Sequence, residues 1–161
     1  MIALYRGLGG LSRSIRWFTW GPYSHASWVR RDGANIEAWY NGGVRLTDSV
    51  SHGHKPGIAV DIFEVEGLTP VQRIRIERFL LSQVGKGYDF RGVLKFVSRL
   101  PPKKDLDQVK SWFCSVLVFA AVAQVRPPLL ERVPPHKVHP NLLSYSPDLE
   151  LVRTEITGRT R

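Results

Sequence analysis

Short apolar and alternating segments with the pattern of β-strands dominate the first 66 residues of the chain. Glycine-containing turns separate them, as expected for antiparallel strands joined in meander order. The pattern predicts four or five such strands, with one helix at 12–20 interrupting the series. The predicted strand segments are 2–5, 24–31, 35–40, 44–50 and 58–65.

Helical periodicity replaces this pattern over the following 60 residues. The first helix of this region is predicted after Thr69, whose hydroxyl can cap it, and it ends at Gly85. A second is predicted over 89–100. The third begins near 110 or 111 and is apolar on nearly every side, which is typical of a buried helix. Strands followed by helices predict an α+β fold with a small antiparallel sheet of about five strands packed against helices.

The chain of 161 residues shows no internal repeat and no linker, so a single domain spanning 1–161 is predicted. A proline-rich tail follows residue 126 and is expected to wrap the surface, with a last strand at 149–154. The longest apolar run, 116–123, is far shorter than the ~20 residues that cross a bilayer. The first residues, MIALYRGLGG, lack the signal-peptide pattern. We therefore expect a cytoplasmic protein without a transmembrane segment, with non-classical export or phage delivery as alternative routes.

Basic residues outnumber acidic ones by 23 to 14, which gives a net charge of +9 and an isoelectric point near 10.1. A field of this sign attracts anionic partners such as acidic peptides, nucleic acid or anionic lipid. The basic residues are scattered, and no motif of a nucleic-acid-binding fold accompanies them. The charge therefore predicts an anionic substrate or partner and does not by itself predict a nucleic-acid-binding protein. The oligomeric state is not predicted.

The one cysteine, Cys114, lies in the segment SWFCSVLVFAAVA, within the first turn of the third predicted helix. A helix N-terminus favours a thiolate, and its free N–H groups can stabilise an oxyanion. This position is compatible with a nucleophile. Free cysteine is among the most buried residue types, however, so the position alone favours an inert core cysteine.

A nucleophilic thiol needs a base, and the base needs a group that orients it. His25 begins the strand SHASWVRR, and Glu37 lies between two apolar residues in the next strand, NIEAWY. Side chains alternate between the two faces of a sheet, so the length of the connecting loop decides whether they can meet. A two-residue loop at 32–33 would put them on opposite faces, whereas a three-residue loop at 32–34 would put them on one face. The triad hypothesis requires an odd-length loop.

The remaining histidines form two pairs, His52 with His54 in a glycine-rich loop and His136 with His139 in the tail. Neither pair has a neighbouring cysteine or paired carboxylates of the kind that a zinc site uses. We interpret them as solvated loop histidines and predict no metal and no other cofactor.

The order YSHASWV, IEAWYNGGVRLT, GKGYDF and WFCSVLV resembles the circularly permuted branch of the NlpC-type papain-like cysteine peptidases and amidases, specifically its YiiX-like members. The resemblance implies a permuted papain-like fold with Cys114 as nucleophile, His25 as base and Glu37 as the residue that orients His25. It also implies hydrolysis of amide or ester bonds in cell-wall peptides or related acyl substrates.

Two other functions are compatible with the same residues. The first is a lipid acyltransferase or deacylase of the lecithin:retinol acyltransferase-like type, which shares the histidine-then-cysteine order. Trp17, Phe18 and Trp20 would then form an apolar edge for lipid, unless they belong to the core. The second is a basic binding module without enzymatic activity, in which Cys114 is a core residue.

Overall fold

The computed structural model describes residues 1–89 and 110–158, and its central feature is one antiparallel sheet of six strands. Its strands are β1 (Ile2–Tyr5), β2 (His25–Val29), β3 (Asn35–Trp39), β4 (Gly43–Thr47), β5 (Ala59–Val65) and β8 (Leu149–Ile156). Their order across the sheet is β4-β3-β2-β1-β5-β8. The α+β class and the antiparallel sheet packed against helices are thus observed.

The helices of the described part of the chain flank this sheet. They are α1 (Gly10–Thr19), α2 (Pro70–Gln83), α3 (Cys114–Val122) and α4 (Pro140–Leu143), with a short 3-10 helix at Pro135–Lys137. Helix α2 begins as predicted at Thr69. The Thr69 hydroxyl accepts a hydrogen bond from the Gln72 N–H at 3.2 Å, and the Gln72 side chain accepts one from the Thr69 N–H at 2.9 Å. This reciprocal cap fixes the start of the helix.

Meander order holds for the first four strands and fails at the fifth. Strand β5 pairs with β1 along 2–5 rather than with β4. The reason lies in β1, in which every residue of Ile2–Tyr5 is buried. A strand with two buried faces belongs in the middle of a sheet, with a neighbour on each side. The connection at 48–58 must therefore travel from one edge of the sheet back past its centre.

The C-terminal strand raises the count from about five to six. It pairs with β5 from Ala59↔Ile156 to Val65↔Leu149, with a register shift between Ile62 and Phe63. Pairing with β8 covers an edge of β5 that would otherwise expose free N–H and C=O groups.

The main apolar core lies between one face of the sheet and two helices. Helix α3 packs on β2 and β3, and α2 packs on α3. The other face carries a smaller apolar cluster around Val60 and Ile62, together with several polar side chains described below. The apolar, buried α3 agrees with the sequence prediction.

The start of α3 differs from the prediction. Ser111–Trp112, expected to be helical, forms a two-residue parallel strand, β7, with Gly87–Tyr88 as its partner β6. The helix begins at Cys114, so the cysteine is its first residue. The helix predicted over 89–100 lies, apart from Asp89, outside the described residues. Within the described part of the chain, no helix has the length and apolar character needed to cross a membrane.

Candidate active site

The β2–β3 hairpin has a three-residue loop, which the triad hypothesis required. The pairs Trp28↔Ile36 and Val29↔Asn35 set the register, and the Arg30 N–H donates to the Ala34 carbonyl at 2.8 Å. The loop is therefore residues 31–33, one position earlier than the predicted 32–34. Gly33, at φ +88°, supplies the left-handed conformation that such a loop requires.

This register brings His25 and Glu37 onto one face. His25 Nε2 lies 2.6 Å from Glu37 Oε2, the length of a strong charge-assisted hydrogen bond. The Glu37 side chain is fully buried, and that of His25 is 13% exposed. His25 is the first residue of β2, so its ring lies at the end of the strand rather than beneath its middle.

Two further side chains bind the Glu37 carboxylate. Arg45, directly opposite Glu37 on β4, donates to Oε1 from Nε at 2.9 Å and from Nη2 at 2.6 Å. His54, from the 48–58 connection, has its Nε2 3.3 Å from Oε2. Burial alone raises the pKa of Glu37, but hydrogen bonds from His25 and His54 and their charges hold it well below the usual range. The carboxylate is therefore ionised and held on both oxygens.

Aromatic rings enclose the two imidazoles. Tyr5 stacks on His54 with ring centroids 4.4 Å apart and lies 5.0 Å from the His25 ring. Trp39 presents its ring at nearly right angles to His25, and the Arg45 guanidinium lies 4.3 Å from the Trp39 centroid. These contacts restrict the rotation of both imidazoles and exclude water from the Glu37 carboxylate.

Cys114 is the first residue of α3, with Phe113 as the N-cap residue. The N–H groups of the first turn have no acceptor within a helix, so they point their positive dipoles toward this end. The cysteine is fully buried and belongs to the main apolar core. A core cysteine would be buried in the same way, so burial alone does not separate the two interpretations.

The protonation of His25 links the imidazole to Cys114. Burial by itself lowers the pKa of His25 and is the largest single influence. The charge of the Cys114 thiolate and a hydrogen bond to it oppose burial, as do the bond to Glu37 and its charge, and together they raise the pKa of His25 to about 10. His25 is thus bound to the Glu37 carboxylate, and Cys114 lies close enough to influence its protonation.

His54 has the opposite protonation preference. Burial lowers the pKa of His54, and the charges of His25 and Arg45 add to this effect against the attraction of Glu37. The two imidazoles on one carboxylate oxygen therefore differ, with His25 favoured as the cation and His54 as the neutral ring.

Tyr88 also lies close enough to Cys114 to sense its charge. Burial and then the Cys114 charge raise the pKa of Tyr88, so its hydroxyl stays protonated. Its ring meets that of Phe113 at a centroid distance of 6.3 Å.

Of the three residues that the sequence singled out, the structure joins His25 and Glu37 by a hydrogen bond and places Cys114 near enough to His25 to influence the pKa of the imidazole. Sequence reasoning missed Arg45 and His54. Arg45 had a readable signal, because the turn at 41–43 places it opposite Glu37 as a cross-strand pair of opposite charge. His54 had none, since only the path of a long connection brings it to the site.

The interpretation of the loop histidines as solvated is wrong for His54 and for His139, which caps α4. The His54 side chain is only 5% exposed, and it lies against a carboxylate. His25, Glu37 and His54 each offer a ligand atom, and these atoms lie within 4.8 Å of one another, close enough to hold a metal ion. His52, which lies in the same loop as His54, is on the surface, where its Nδ1 is 3.1 Å from Asp48 Oδ1.

Comparison with known proteins identifies a fold and no sequence family. No protein-family model and no curated protein matches the chain. Among solved structures, the chain is similar to the metalloprotein yiiX from Escherichia coli O157:H7, DUF1105, with a TM-score of 0.65 and 19% identity. The alignment covers 96% of this chain and 95% of that one. The chain therefore has a YiiX-like fold.

Proposed function

We propose that this protein is a cysteine-dependent hydrolase of permuted papain-like architecture, with Cys114 as nucleophile, His25 as general acid and base, and Glu37 as a positioning residue. The observation that carries the proposal is the hydrogen bond between His25 Nε2 and Glu37 Oε2 at 2.6 Å. Cys114, the first residue of α3, lies near enough to His25 to raise the pKa of the imidazole. A nucleophile, a base and a group that orients the base are the parts of a thiol triad.

The proton is on His25 before substrate arrives. A pKa of about 10 keeps the imidazole cationic at neutral pH. The Cys114 sulfur attacks the substrate carbonyl carbon, and N–H groups at the start of α3 stabilise the oxyanion. The carbon–nitrogen bond breaks as His25 gives its proton to the leaving amine, which leaves a thioester on Cys114. Water then attacks the thioester, His25 takes a proton from it, and the acid is released with the thiolate restored.

The substrate class we propose is an amide or ester of a cell-wall peptide or a related acyl group. Acidic peptide stems are supported by the net charge of +9, which attracts anionic molecules. Acyl transfer to another acceptor uses the same thioester and differs only in what attacks it. The lipid acyltransferase or deacylase alternative therefore depends on the acceptor and on the acyl chain.

Mass spectrometry of the intact protein tests the proposal directly. The protein is incubated with peptidoglycan stem peptides or with acylated lipids and quenched in acid. The proposal predicts an acyl adduct on wild-type protein and none on Cys114→Ala, together with product release by wild type alone. The class of substrate that yields the adduct identifies the reaction. Equal turnover by Cys114→Ala would overturn the proposal, and a complete lack of adducts and turnover would favour the basic binding module.

A divalent metal site at His25, Glu37 and His54 is the second candidate, favoured by the convergence of their ligand atoms. Two imidazoles and a carboxylate are a ligand set that zinc accepts. The structural neighbour is described as a metalloprotein. Arg45 already holds Oε1, so a metal would take Oε2 and replace both hydrogen bonds to the imidazoles. Metal binding and the triad would then exclude each other.

Metal analysis of purified protein, with zinc titration by calorimetry, tests this second candidate. Tight stoichiometric zinc that is lost in His54→Gln would establish the metal site. Absence of binding, or binding unchanged in His54→Gln, would reject it. A metal-bound protein that loses hydrolytic activity as zinc is added would show that the two states compete.

A further inference from the structure

Helix α1 and the residues beside it expose an unusual amount of apolar surface. Only Ile15 of this helix is buried in the protein. Trp17 is 70% exposed and Trp20 is 89% exposed. We call the exposed apolar group the aromatic patch; it consists of Leu8, Leu11, Trp17, Phe18 and Trp20. Single exposed apolar residues are ordinary, whereas a contiguous cluster marks an interaction site.

The spacing of the residues makes the patch continuous. Leu11 and Phe18 are seven positions apart, two turns of helix, so they lie on the same side of α1. Trp17 packs its ring edge-on against Phe18 with centroids 4.8 Å apart. Exposed apolar residues thus share the surface of α1 with the exposed polar residues Arg13 and Ser14, whereas the solvent side of a helix packed on a core is normally polar throughout.

The backbone at Trp20 supplies a second, independent observation. Trp20 lies just after the helix with φ 52° and ψ 41°, a left-handed conformation. Glycine is the usual residue there because a side chain costs energy in this conformation. The indole buries almost nothing within the protein to offset that cost. Neither backbone nor packing accounts for a tryptophan at this position, which indicates contact with a partner.

The charge around the patch identifies the chemistry of that partner. The first 31 residues contain five arginines and no aspartate or glutamate. Arg13 is an exposed residue of α1, and Arg16 on the same helix donates to the Gly7 carbonyl at 3.2 Å. Arg6 precedes the helix, but its charge is paired with Asp61, so the positive charge at the patch comes from Arg13 and Arg16 on α1. An apolar patch bordered by these arginines is complementary to a surface whose outer layer is anionic and whose interior is apolar.

We propose that the aromatic patch docks the protein onto the surface of an anionic lipid bilayer. Trp, Phe and Leu on one side of a helix, with arginine at its margins, are the residues of helices that lie in a membrane interface. Tryptophan prefers the level of the lipid headgroups. Helix α1 ends six residues before His25, so docking holds the start of β2 close to the bilayer. The inference does not depend on the hydrolase proposal.

Vesicle sedimentation tests the docking, using the full chain and two kinds of vesicle. One kind is phosphatidylcholine alone, and the other is phosphatidylcholine and phosphatidylglycerol in equal parts. The variant is Trp17→Ser/Trp20→Ser. Its matched control is Val71→Ser/Ile74→Ser, which removes exposed apolar side chains from α2. Since all four side chains are exposed, both variants should keep the wild-type circular dichroism and melting temperature.

Wild type and the control should bind the anionic vesicles with a blue shift of tryptophan emission, and more weakly at high salt. The tryptophan variant should lose about tenfold or more in partitioning, since binding scales with buried apolar area. Equal binding by the tryptophan variant and wild type, or no binding by wild type, would overturn the proposal. A wild-type dimer in sedimentation velocity that dissociates in the tryptophan variant, without vesicle binding, would assign the patch to a second copy of the chain instead.

Discussion

Two buried carboxylates in the same sheet have the same kind of arginine partner and different remaining partners. Glu37 and Asp61 are both fully buried. Arg45 binds Glu37 through Nε and Nη2, and Arg6 binds Asp61 through Nε at 3.1 Å and Nη2 at 2.6 Å. Each pairing neutralises a charge that would be costly to bury alone.

The two carboxylates differ in their remaining hydrogen-bond partners, which are hydroxyl groups at Asp61 and imidazoles at Glu37. Thr154 donates to Asp61 Oδ1 and the Tyr23 hydroxyl donates to Oδ2, both at 2.6 Å. Burial raises the pKa of Asp61, but these hydroxyls and Arg6 hold it below its usual value. Hydroxyl groups keep their protons at neutral pH, so this cluster only joins strands. Glu37 instead faces two imidazoles, which can titrate, and in the proposed mechanism His25 exchanges a proton with Cys114. The comparison teaches that the titratable partner, rather than the buried carboxylate, distinguishes a reactive site.

The largest expected effect is on activity, in Glu37→Gln. The amide keeps the shape of the side chain but cannot stabilise the cationic His25, so hydrolysis should fall by about 10³-fold or more. Turnover of the substrate found by acyl trapping measures this. Activity within a few-fold of wild type in a folded Glu37→Gln protein would remove Glu37 from the site.

The matched change, Asp61→Asn, should act on stability. Losing the charge weakens the hydrogen bonds from three donors, so the free energy of unfolding, measured with denaturant, should fall by about 2–3 kcal/mol. The loss is limited because the partly exposed Arg6 side chain can be solvated instead. Because the folded-state pKa of Asp61 is depressed, its stabilisation is present at neutral pH and declines as pH falls through the folded value. Activity per folded molecule should stay near wild type. Loss of activity without loss of stability would contradict the comparison.

His54→Gln sharpens the assignment of roles on the Glu37 side. Glutamine can still donate a hydrogen bond but does not stack on Tyr5 in the same way, so His25 should be less firmly oriented. We expect about a tenfold loss in kcat with little change in KM, the size of effect typical of residues that orient a functional side chain without touching the substrate. A loss confined to KM would instead place His54 in contact with substrate.

The smallest expected effect is on the pH dependence of stability, in a variant of His139. Its ring accepts a hydrogen bond from the Leu142 N–H at 3.2 Å and caps α4, and burial lowers the pKa of His139 to about 4. The unfolded chain therefore binds more protons between pH 6.5 and about 4, and stability declines as pH falls through that window. His139→Asn keeps a cap without titrating. Thermal unfolding at a series of pH values should show that the variant loses less stability than wild type as the pH falls, by on the order of 1 kcal/mol. Identical acid profiles would refute this.

Local signals were enough to predict most elements of this fold, and long-range pairing was not. Thr69 predicts the start of a helix, and Asp32-Gly33 predicts a hairpin. The loop boundary depended on whether Ala34 joins the strand, which only the register decides. Nothing local indicates that β5 prefers β1 to β4, because burial of both faces of β1 is a property of the assembled sheet. That pairing also carries His54 to Glu37, so the missed topology and the missed residue have one cause.

The central claim is that His25 and Glu37 activate Cys114, and the rate of iodoacetamide alkylation tests it most directly. The single cysteine makes the readout unambiguous. Wild type should react rapidly at pH 6–7, well below the ordinary thiol pKa of about 8.5, and His25→Asn should react at least about tenfold more slowly at the same pH. A native thiol that resists the reagent, or one whose reaction rises only near pH 8.5 and ignores His25→Asn, would contradict the account and leave Cys114 as a core residue.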